Sequence, residues 1–228
     1  SCFNYKFGKH QEAIELYKQA QIKSYRQAIE SYELAIEIDP DNADYHNKLG
    51  TVYGELDMHK EMIDAYKQPI RIDPDDAGAH CGLGDAYYDS GAHKNEPTGS
   101  YKKAIESYKR AIEIDPDDAG YHKKLGEIYQ MLIFAYKRKK DYLEANKYAR
   151  ESIKSFKQAI EIDPDNARVH HSLGNTYLMI GDKSAALDQY KILKKLNSVW
   201  ADMLFKFIYS ENLDKVIGPM KSLSGTKD

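Results

Sequence analysis

A short phrase built on Ile-Asp-Pro-Asp recurs along this chain and limits the folds that are open to it. The residue before a proline is pushed out of helical geometry, and the proline itself cannot donate a backbone hydrogen bond, so each copy is predicted to end a helix. Asp75, Asp117 and Asp165 directly follow their prolines, and we expect them to accept the unpaired N–H groups of the next helix. The chain is therefore predicted to be a series of helices joined by one recurring turn. The copies are Ala35–Asp41, Ile70–Asp75, Ala111–Asp117 and Ala159–Asp165.

A second set of residues recurs between the prolines. The first helix of each predicted pair carries Leu-Gly followed by Tyr, and the second carries an aromatic residue with alanine at a set position in three of the four units. In the first unit Met62 and Pro69 stand at the alanine positions. Small residues are needed where two helices approach closely, and aromatic residues fill the wider gaps. The Leu-Gly pairs and their tyrosines are Leu49-Gly50 with Tyr53, Leu83-Gly84 with Tyr87, Leu125-Gly126 with Tyr129, and Leu173-Gly174 with Tyr177.

From Ala43 to Asn197 this order of Leu-Gly, Tyr, Ala, aromatic, Ala and Pro resembles the tetratricopeptide repeat, a helix pair of about 34 residues. The resemblance implies an all-α fold, a right-handed α-α superhelix (a solenoid) of antiparallel helix pairs that ends in a C-terminal capping helix. The sequence pattern of the repeats resembles that of bacterial members of the family.

The repeats divide the chain into a predicted single solenoid domain with four parts. Residues 1–42 form an incomplete repeat with a long second helix, in which Gly8-Lys9-His10 is interpreted as the turn within a helix pair. Residues 43–198 form four units, of which 77–118 and 119–166 are lengthened. A capping helix is expected at 199–210 and a loosely ordered tail at 211–228. In the capping helix, an apolar face is expected from Val199, Trp200, Met203, Leu204, Phe207 and Ile208.

The two lengthened units differ in kind. Between Ala119 and Pro164 there are fourteen residues more than the repeat requires, shared equally by the two helices. Seven residues at about 100° each miss two full turns by only about 20°, so the apolar face stays in register and a projecting hairpin is predicted. The segment Gly91–Thr98 adds eight residues, contains helix-breaking Gly91 and Pro97, and is predicted to be a loop.

In the first unit, Pro69 is predicted to weaken the end of its helix.

Composition excludes several classes of protein. A mean hydropathy of -0.71 is far from that of a membrane bundle, and no apolar run approaches the roughly 20 residues that cross a bilayer. Lys and Arg number 33 against 36 Asp and Glu, and this balance argues against a nucleic-acid partner. The chain starts at Ser1, partway through a repeat, which indicates a processed or incomplete N-terminus. The compartment is therefore left open between the cytoplasm and a soluble lumen or periplasm.

No catalytic, cofactor or metal site is predicted. The chain has no GxSxG, P-loop or HExxH motif. Four histidines share one repeat position, but successive repeats are separated by two helix layers of about 8–10 Å each, too far for bonds near 2 Å to one metal. We expect them to be structural; they are His46, His80, His122 and His170.

Two surfaces are candidates for binding a protein partner. The first is the predicted hairpin tip, where Lys137, Arg138, Lys139 and Lys140 could dock on an acidic protein surface, with anionic lipid and a merely solvated tip as alternatives. The second is the concave groove in which the family usually binds peptides. Asp85 and Glu127 in this groove replace the asparagines of the chaperone-binding pattern, so a mixed-charge ligand is implied. The groove positions are Asn47, Lys48, Thr51, Asp85, Lys123, Lys124, Glu127, Arg168, His171 and Asn175.

These features favour a non-enzymatic scaffold that holds other subunits, or copies of itself, in a larger assembly. The unequal repeat lengths favour this hypothesis because the long helices extend reach rather than a regular groove. One alternative is a peptide-recognition or co-chaperone-like module that uses the concave groove. A second alternative is the repeat portion of a longer enzyme, which the intact mass of the native protein would reveal.

Overall fold

The computed structural model describes residues 2–92 and 98–210, with side chains from Leu16 onward except Tyr17. The predicted all-α fold is confirmed, because every regular element in this part of the chain is a helix. The tail at 211–228 and most of the predicted loop lie outside the described residues. The helices are α1 (Cys2–Ile38), α2 (Ala43–Glu55), α3 (His59–Ile72), α4 (Ala77–Ala92), α5 (Thr98–Ile114), α6 (Ala119–Arg138), α7 (Tyr142–Ile162), α8 (Ala167–Met179), α9 (Lys183–Leu196) and α10 (Ser198–Ile208).

The chain divides into two compact units, Ser1–Ser90 and Gly91–Asp228. In the first unit, Met62 and Tyr66 of α3 pack against Leu83 and Ala86 of α4 to form a buried cluster. In the second unit, the corresponding cluster joins Phe156 and Ala159 of α7 to Val169 and Leu173 of α8. Each core therefore forms where the second helix of one pair meets the first helix of the next.

The predicted turn at Gly8-Lys9-His10 is wrong. The backbone is helical without a break from Cys2 to Ile38, so this segment is one helix of 37 residues. A single glycine inside a helix costs only about 1 kcal/mol, and neither Lys9 nor His10 breaks a helix.

The helix caps lie one residue later than predicted. The side chain of Asn42 accepts from Asp44 N, and that of Asp118 accepts from Gly120 N and Tyr121 N, with both caps in extended geometry. The position directly after the proline is still inside the turn, where its N–H donates to the first aspartate of the phrase, as Asp75 N does to Asp73 Oδ1 at 3.0 Å. The remaining caps of the recurring turn are Asp76 and Asn166.

The four repeated histidines have one common structural role. In each repeat, histidine Nε2 donates to the carbonyl of the proline six residues earlier, because a carbonyl oxygen can only accept. This bond ties the first turn of the incoming helix to the turn that precedes it. The pairs are His46 with Pro40 at 3.0 Å, His80 with Pro74 at 3.0 Å, His122 with Pro116 at 3.0 Å, and His170 with Pro164 at 2.9 Å.

Helices α6 and α7 form the longest pair. They have 20 and 21 residues, against 13 and 14 in the pair α2 and α3, so each is longer by seven residues. The added length has its own core, in which Leu132, Ile133, Ala145 and Ala149 are completely buried. The hairpin is therefore stabilised along its whole length by apolar packing between its two helices.

Gly91 does not begin a loop. It lies in α4, which continues to Ala92, and α5 begins at Thr98, so the predicted loop is too long at both ends. A Cβ at Gly91 would lie 2.9 Å from Ser100 Cβ and 2.9 Å from Tyr101 Cε1. Glycine is thus needed here because α5 approaches the backbone closely.

Helix α10 buries a narrower face than its sequence predicts. Leu204 and Ile208 are buried as expected, together with Ala201, whereas Val199, Met203 and Phe207 of the predicted face are exposed. The apolar residues of this helix are spread around its circumference, so their spacing does not identify the buried side.

Helix α3 continues through the buried Pro69 to Ile72. The predicted weakness of its last turns stays a prediction.

Candidate functional site

The candidate groove residues of the first unit are engaged with their own neighbours. Asn47 Nδ2 donates to Asp76 Oδ2 at 2.8 Å, and Lys48 forms an exposed ion pair with Asp44 at 3.4 Å. Thr51 Oγ1 lies 3.1 Å from the Asn47 carbonyl and 3.0 Å from Tyr66 Oη. Asp85 is half-buried on α4. A ligand of this surface would have to compete with these bonds or use the buried Asn47 Oδ1, which has no partner among the described residues.

In the second unit, the candidate residues lie on α6 and α8. Lys123, Lys124 and Glu127 are half-buried on α6, and Glu127 Oε1 lies 3.6 Å from Arg168 Nε of α8. This ion pair links the two helices across the surface. Because Arg168 is mostly exposed, the pair contributes little to stability and can be broken by a ligand at low cost.

His171 and Asn175 of α8 meet Trp200 of α10. The His171 and Trp200 rings are tilted against each other with centroids 4.7 Å apart, and Asn175 Nδ2 lies 3.3 Å from His171 Nδ1. Burial lowers the pKa of His171 below its ordinary 6.5, because desolvation disfavours the imidazolium. The ring is thus a neutral, largely covered part of the α8–α10 contact at neutral pH.

The four candidate cations of the hairpin tip have two different environments. Lys137 folds back, and its Nζ donates to the carbonyl of Met179 at 2.8 Å, at the C-terminal end of α8. Burial lowers the pKa of Lys137 to about 8. Arg138, Lys139 and Lys140 are exposed around the turn, where Lys140 has a left-handed φ of 59°.

Sequence reasoning missed the apolar part of the tip. Leu143, the second residue of α7, is 81% exposed, and Phe134 on α6 is 46% exposed. Both could have been found from the helical period, because they fall on the outer faces of two helices whose inner faces are already apolar. The exposed surface of the tip therefore combines cations with large apolar side chains.

Sequence reasoning also missed an acidic groove on the first unit. We use this name for the concavity of about 500 Å³ between α1 and α3, whose floor is formed by α2. Its apolar lining comes from Ile36, Leu49 and Ala65, and its charged lining is formed entirely by carboxylates. Tyr53 Oη donates to Glu33 Oε1 at 3.3 Å; burial first, then Glu33 and Glu61, raise the pKa of Tyr53. The carboxylates are Glu33, Glu37, Glu61 and Asp64.

The second unit has a groove of the same construction, between α5 and α7 over α6. We call it the mixed groove because it is lined by Lys102, Lys109 and Lys147 as well as Glu106 and Glu151. Lys109 stands two residues before the Ala-Ile-Glu-Ile-Asp-Pro phrase, the position that Glu33 has in the first unit. The negative character of the acidic groove is therefore not a general property of the repeat.

Within the described part of the chain, no three His, Cys, Asp or Glu side chains are placed to share a metal ion. None of the helices described combines the length and the hydropathy that a bilayer-spanning helix requires. What the geometry offers is a set of solvent-facing surfaces with distinct charge.

Antiparallel helix pairs joined by one recurring turn define a helical-repeat protein. A sequence profile described as TPR repeat matches residues 21–57, 60–91, 98–132 and 140–181. The chain belongs to the tetratricopeptide repeat family, and members of this fold are protein-interaction modules.

Several solved structures share the fold. A crystal structure of MamA has a TM-score of 0.61 and 22% identity, over 81% of this chain and 95% of that one. TTC0263, a thermophilic TPR protein of Thermus thermophilus, has a TM-score of 0.60 and 21% identity, over 82% and 94%. YrrB, described as a TPR protein with an unusual peptide-binding site, has a TM-score of 0.60 and 19% identity, over 82% and 86%. No curated protein sequence matches the chain.

Proposed function

We propose that this chain is a non-enzymatic scaffold that holds protein subunits in a larger assembly, and that the lengthened hairpin of α6 and α7 carries a principal contact. The observation behind the proposal is the hairpin itself, which is two turns longer than a regular pair and ends in exposed Leu143 and exposed cations. Extra helix that neither completes the repeat nor widens its groove serves to reach another molecule.

A second candidate is recognition of a peptide segment on the concave surface. The juxtaposition of His171, Asn175 and Trp200 favours it, because an aromatic ring beside amide and imidazole groups suits an extended peptide. The unusual peptide-binding site of YrrB, a protein of the same fold, adds to its plausibility. The two candidates place the contact on different helices and can be separated by mutation.

The decisive variant shortens the hairpin without disturbing the repeat. Deleting Leu132–Arg138 and Leu143–Ala149 removes seven residues from each helix and leaves the turn Lys139–Tyr142 in place. Lys140 then takes the position of Asp57 in the regular pair, and the two residues share a left-handed φ, 59° and 56°. Because seven residues are close to two full turns, the apolar faces stay in register and the variant should fold.

The matched variant is the charge reversal Lys123→Glu with Lys124→Glu on the concave surface. Each variant would be tagged and purified from native cells beside the wild type, and the bound proteins would be quantified by mass spectrometry. The scaffold proposal predicts that the shortened hairpin loses the specific partners by at least about tenfold, while the charge reversal keeps them. The opposite result would assign binding to the concave surface, and a wild type that retains no partner and stays monomeric by light scattering would refute both candidates.

A further inference from the structure

We infer that the hairpin tip of one copy of this chain docks in the acidic groove of a second copy. This inference rests on the proposed scaffold function and names a partner for it. The two surfaces lie on different units, α6–α7 in one and α1–α3 in the other, and each offers what the other lacks.

The acidic groove can receive a basic side chain. Glu33, Glu37 and Glu61 are exposed along its walls, and among the described residues no lysine or arginine belongs to its lining. The fourth carboxylate of the groove, Asp64, already forms an ion pair with Lys67 of the same helix, at 3.3 Å. Exposed pairs three residues apart are weak and exchange readily, so this one does not close the groove to another cation.

The floor of the groove can receive an apolar side chain. Ile36 and Tyr53 are half-buried there, beside buried Leu49 and Ala65. A purely charged ligand would leave this floor in contact with water. An apolar anchor surrounded by cations would cover it, and burial of such an anchor typically stabilises a contact by about 1.5–3 kcal/mol.

The hairpin tip has this combination. Leu143 projects from the start of α7 with 81% of its surface exposed, and Arg138, Lys139 and Lys140 surround the adjoining turn. The tip is also narrow, because α6 and α7 are joined only by Lys139, Lys140 and Asp141. An apolar centre with a positive rim thus faces an apolar floor with a negative rim, the arrangement that steers association and fixes its register.

The mixed groove explains why the tip would choose one groove over the other. It is built in the same way, but Lys102, Lys109 and Lys147 line it and would repel the tip. A contact between two different surfaces is heterologous, so each copy keeps one tip and one groove for further copies, and association proceeds to rings or chains.

The test compares three double charge reversals that are all on exposed side chains. The groove variant is Glu33→Lys with Glu61→Lys, the tip variant is Arg138→Glu with Lys139→Glu, and the control is Glu106→Lys with Glu151→Lys in the mixed groove. Lys140 is left unchanged because of its left-handed φ. The groove variant and the control both change the net charge from -3 to +1, since each replaces two negative charges by two positive ones. Circular dichroism would check that each variant keeps its helices.

Sedimentation velocity and light scattering over a range of protein concentrations measure self-association. We expect the wild type to associate at low salt and to dissociate near 1 M salt, where the screening length is about 3 Å. The groove variant and the tip variant should each raise the dissociation constant by at least about tenfold, and the control should leave it unchanged within about twofold. An equimolar mixture of the groove and tip variants should associate again, because an acidic tip then meets a basic groove.

A wild type that remains monomeric at high concentration, a groove variant that associates as well as the control, or a mixture that fails to associate would each overturn the inference. These outcomes differ from failure of the scaffold proposal. If the wild type is monomeric but retains other proteins through its full-length hairpin, the scaffold proposal stands and only the identity of the partner is refuted.

Discussion

The imidazole of His171 is covered by the indole of Trp200 and bonded to Asn175, so its charge state affects the contact between α8 and α10. Burial lowers its pKa in the folded protein below the ordinary 6.5. The unfolded chain therefore binds more protons than the folded chain in mildly acidic solution. The stability that the neutral ring contributes is present above pH 6.5 and is lost as the pH falls through the folded pKa.

This linkage can be followed with a single optical probe, because Trp200 is the only tryptophan in the chain. We expect its emission to decrease and shift between pH 7.5 and pH 5 as an imidazolium forms beside the indole, and the urea midpoint to fall over the same range. In a His171→Gln variant the fluorescence change should disappear. If wild type and variant show the same pH profile, the contact does not titrate.

For the four histidines that bond to proline carbonyls, the structural role could be predicted from the sequence, but the bonding partner could not. Their recurrence and the distance between repeats point to structure rather than to metal binding. Their partner could not be inferred, because it depends on where the ring points in three dimensions. The same holds for Lys137, whose long side chain reaches the Met179 carbonyl on another helix pair.

Helix α10 shows where the pattern of apolar residues stops being informative. Its face was predicted from Val199, Trp200, Met203, Leu204, Phe207 and Ile208, but of these only Leu204 and Ile208 are buried, together with Ala201. Periodicity identifies a buried side only when the opposite side is polar. Here the exposed residues are apolar too, so the packing of α8 and α9 selects the face.

Two neighbouring residues of α10 allow a matched test of this assignment. Leu204 is completely buried, whereas Met203 is 40% exposed. Leu204→Ala should lower the free energy of unfolding by about 2–4 kcal/mol, because it removes apolar contacts and leaves a cavity. Met203→Ala should change it by less than about 1 kcal/mol. Urea denaturation followed by circular dichroism measures both, and similar losses for the two variants would contradict the observed face.

At the scale of the whole molecule, stacked tyrosines inside the lengthened hairpin contribute to stability at alkaline pH. The rings of Tyr129 and Tyr136 each stack on Tyr148, with centroids 5.9 Å and 5.3 Å away. Burial raises the pKa of Tyr129 and of Tyr148 to about 12, with smaller contributions from nearby carboxylates and tyrosines. The folded chain keeps its phenol protons where the unfolded chain loses them. The stability that they contribute is complete below pH 10 and is lost as the pH rises through 12.

We therefore expect the urea midpoint to fall as the pH rises above 10. The double substitution Tyr129→Phe with Tyr148→Phe keeps the rings but removes the titrating hydroxyls, so it should flatten this decline. Lys137 acts in the opposite direction, because its lowered pKa of about 8 makes the folded state relatively more stable as the pH rises from 8 toward 10.5. An alkaline decline that is equally steep in the double variant would place its cause outside the hairpin.

Much of the architecture follows from counting residues between prolines, because the repeat has a fixed length and the phrase marks each end. The binding surfaces are harder to predict from the sequence, because each is formed by side chains from helices that are far apart in the chain. Glu33 and Glu61 share a groove although 27 residues separate them. No local pattern connects them, whereas the clustered cations of the tip are visible as a run.

The heptad spacing of the hairpin has a consequence for how such a chain can change. Inserting or deleting seven residues in both helices turns their apolar faces by only about 20°, so the hairpin can change length in steps of about two turns and keep its packing. Each step would move the tip by about 10 Å, since a helix rises about 1.5 Å per residue. Related chains with a different number of steps would act as rulers of different length, and would space their partners at intervals set by the helix and not by the partners themselves.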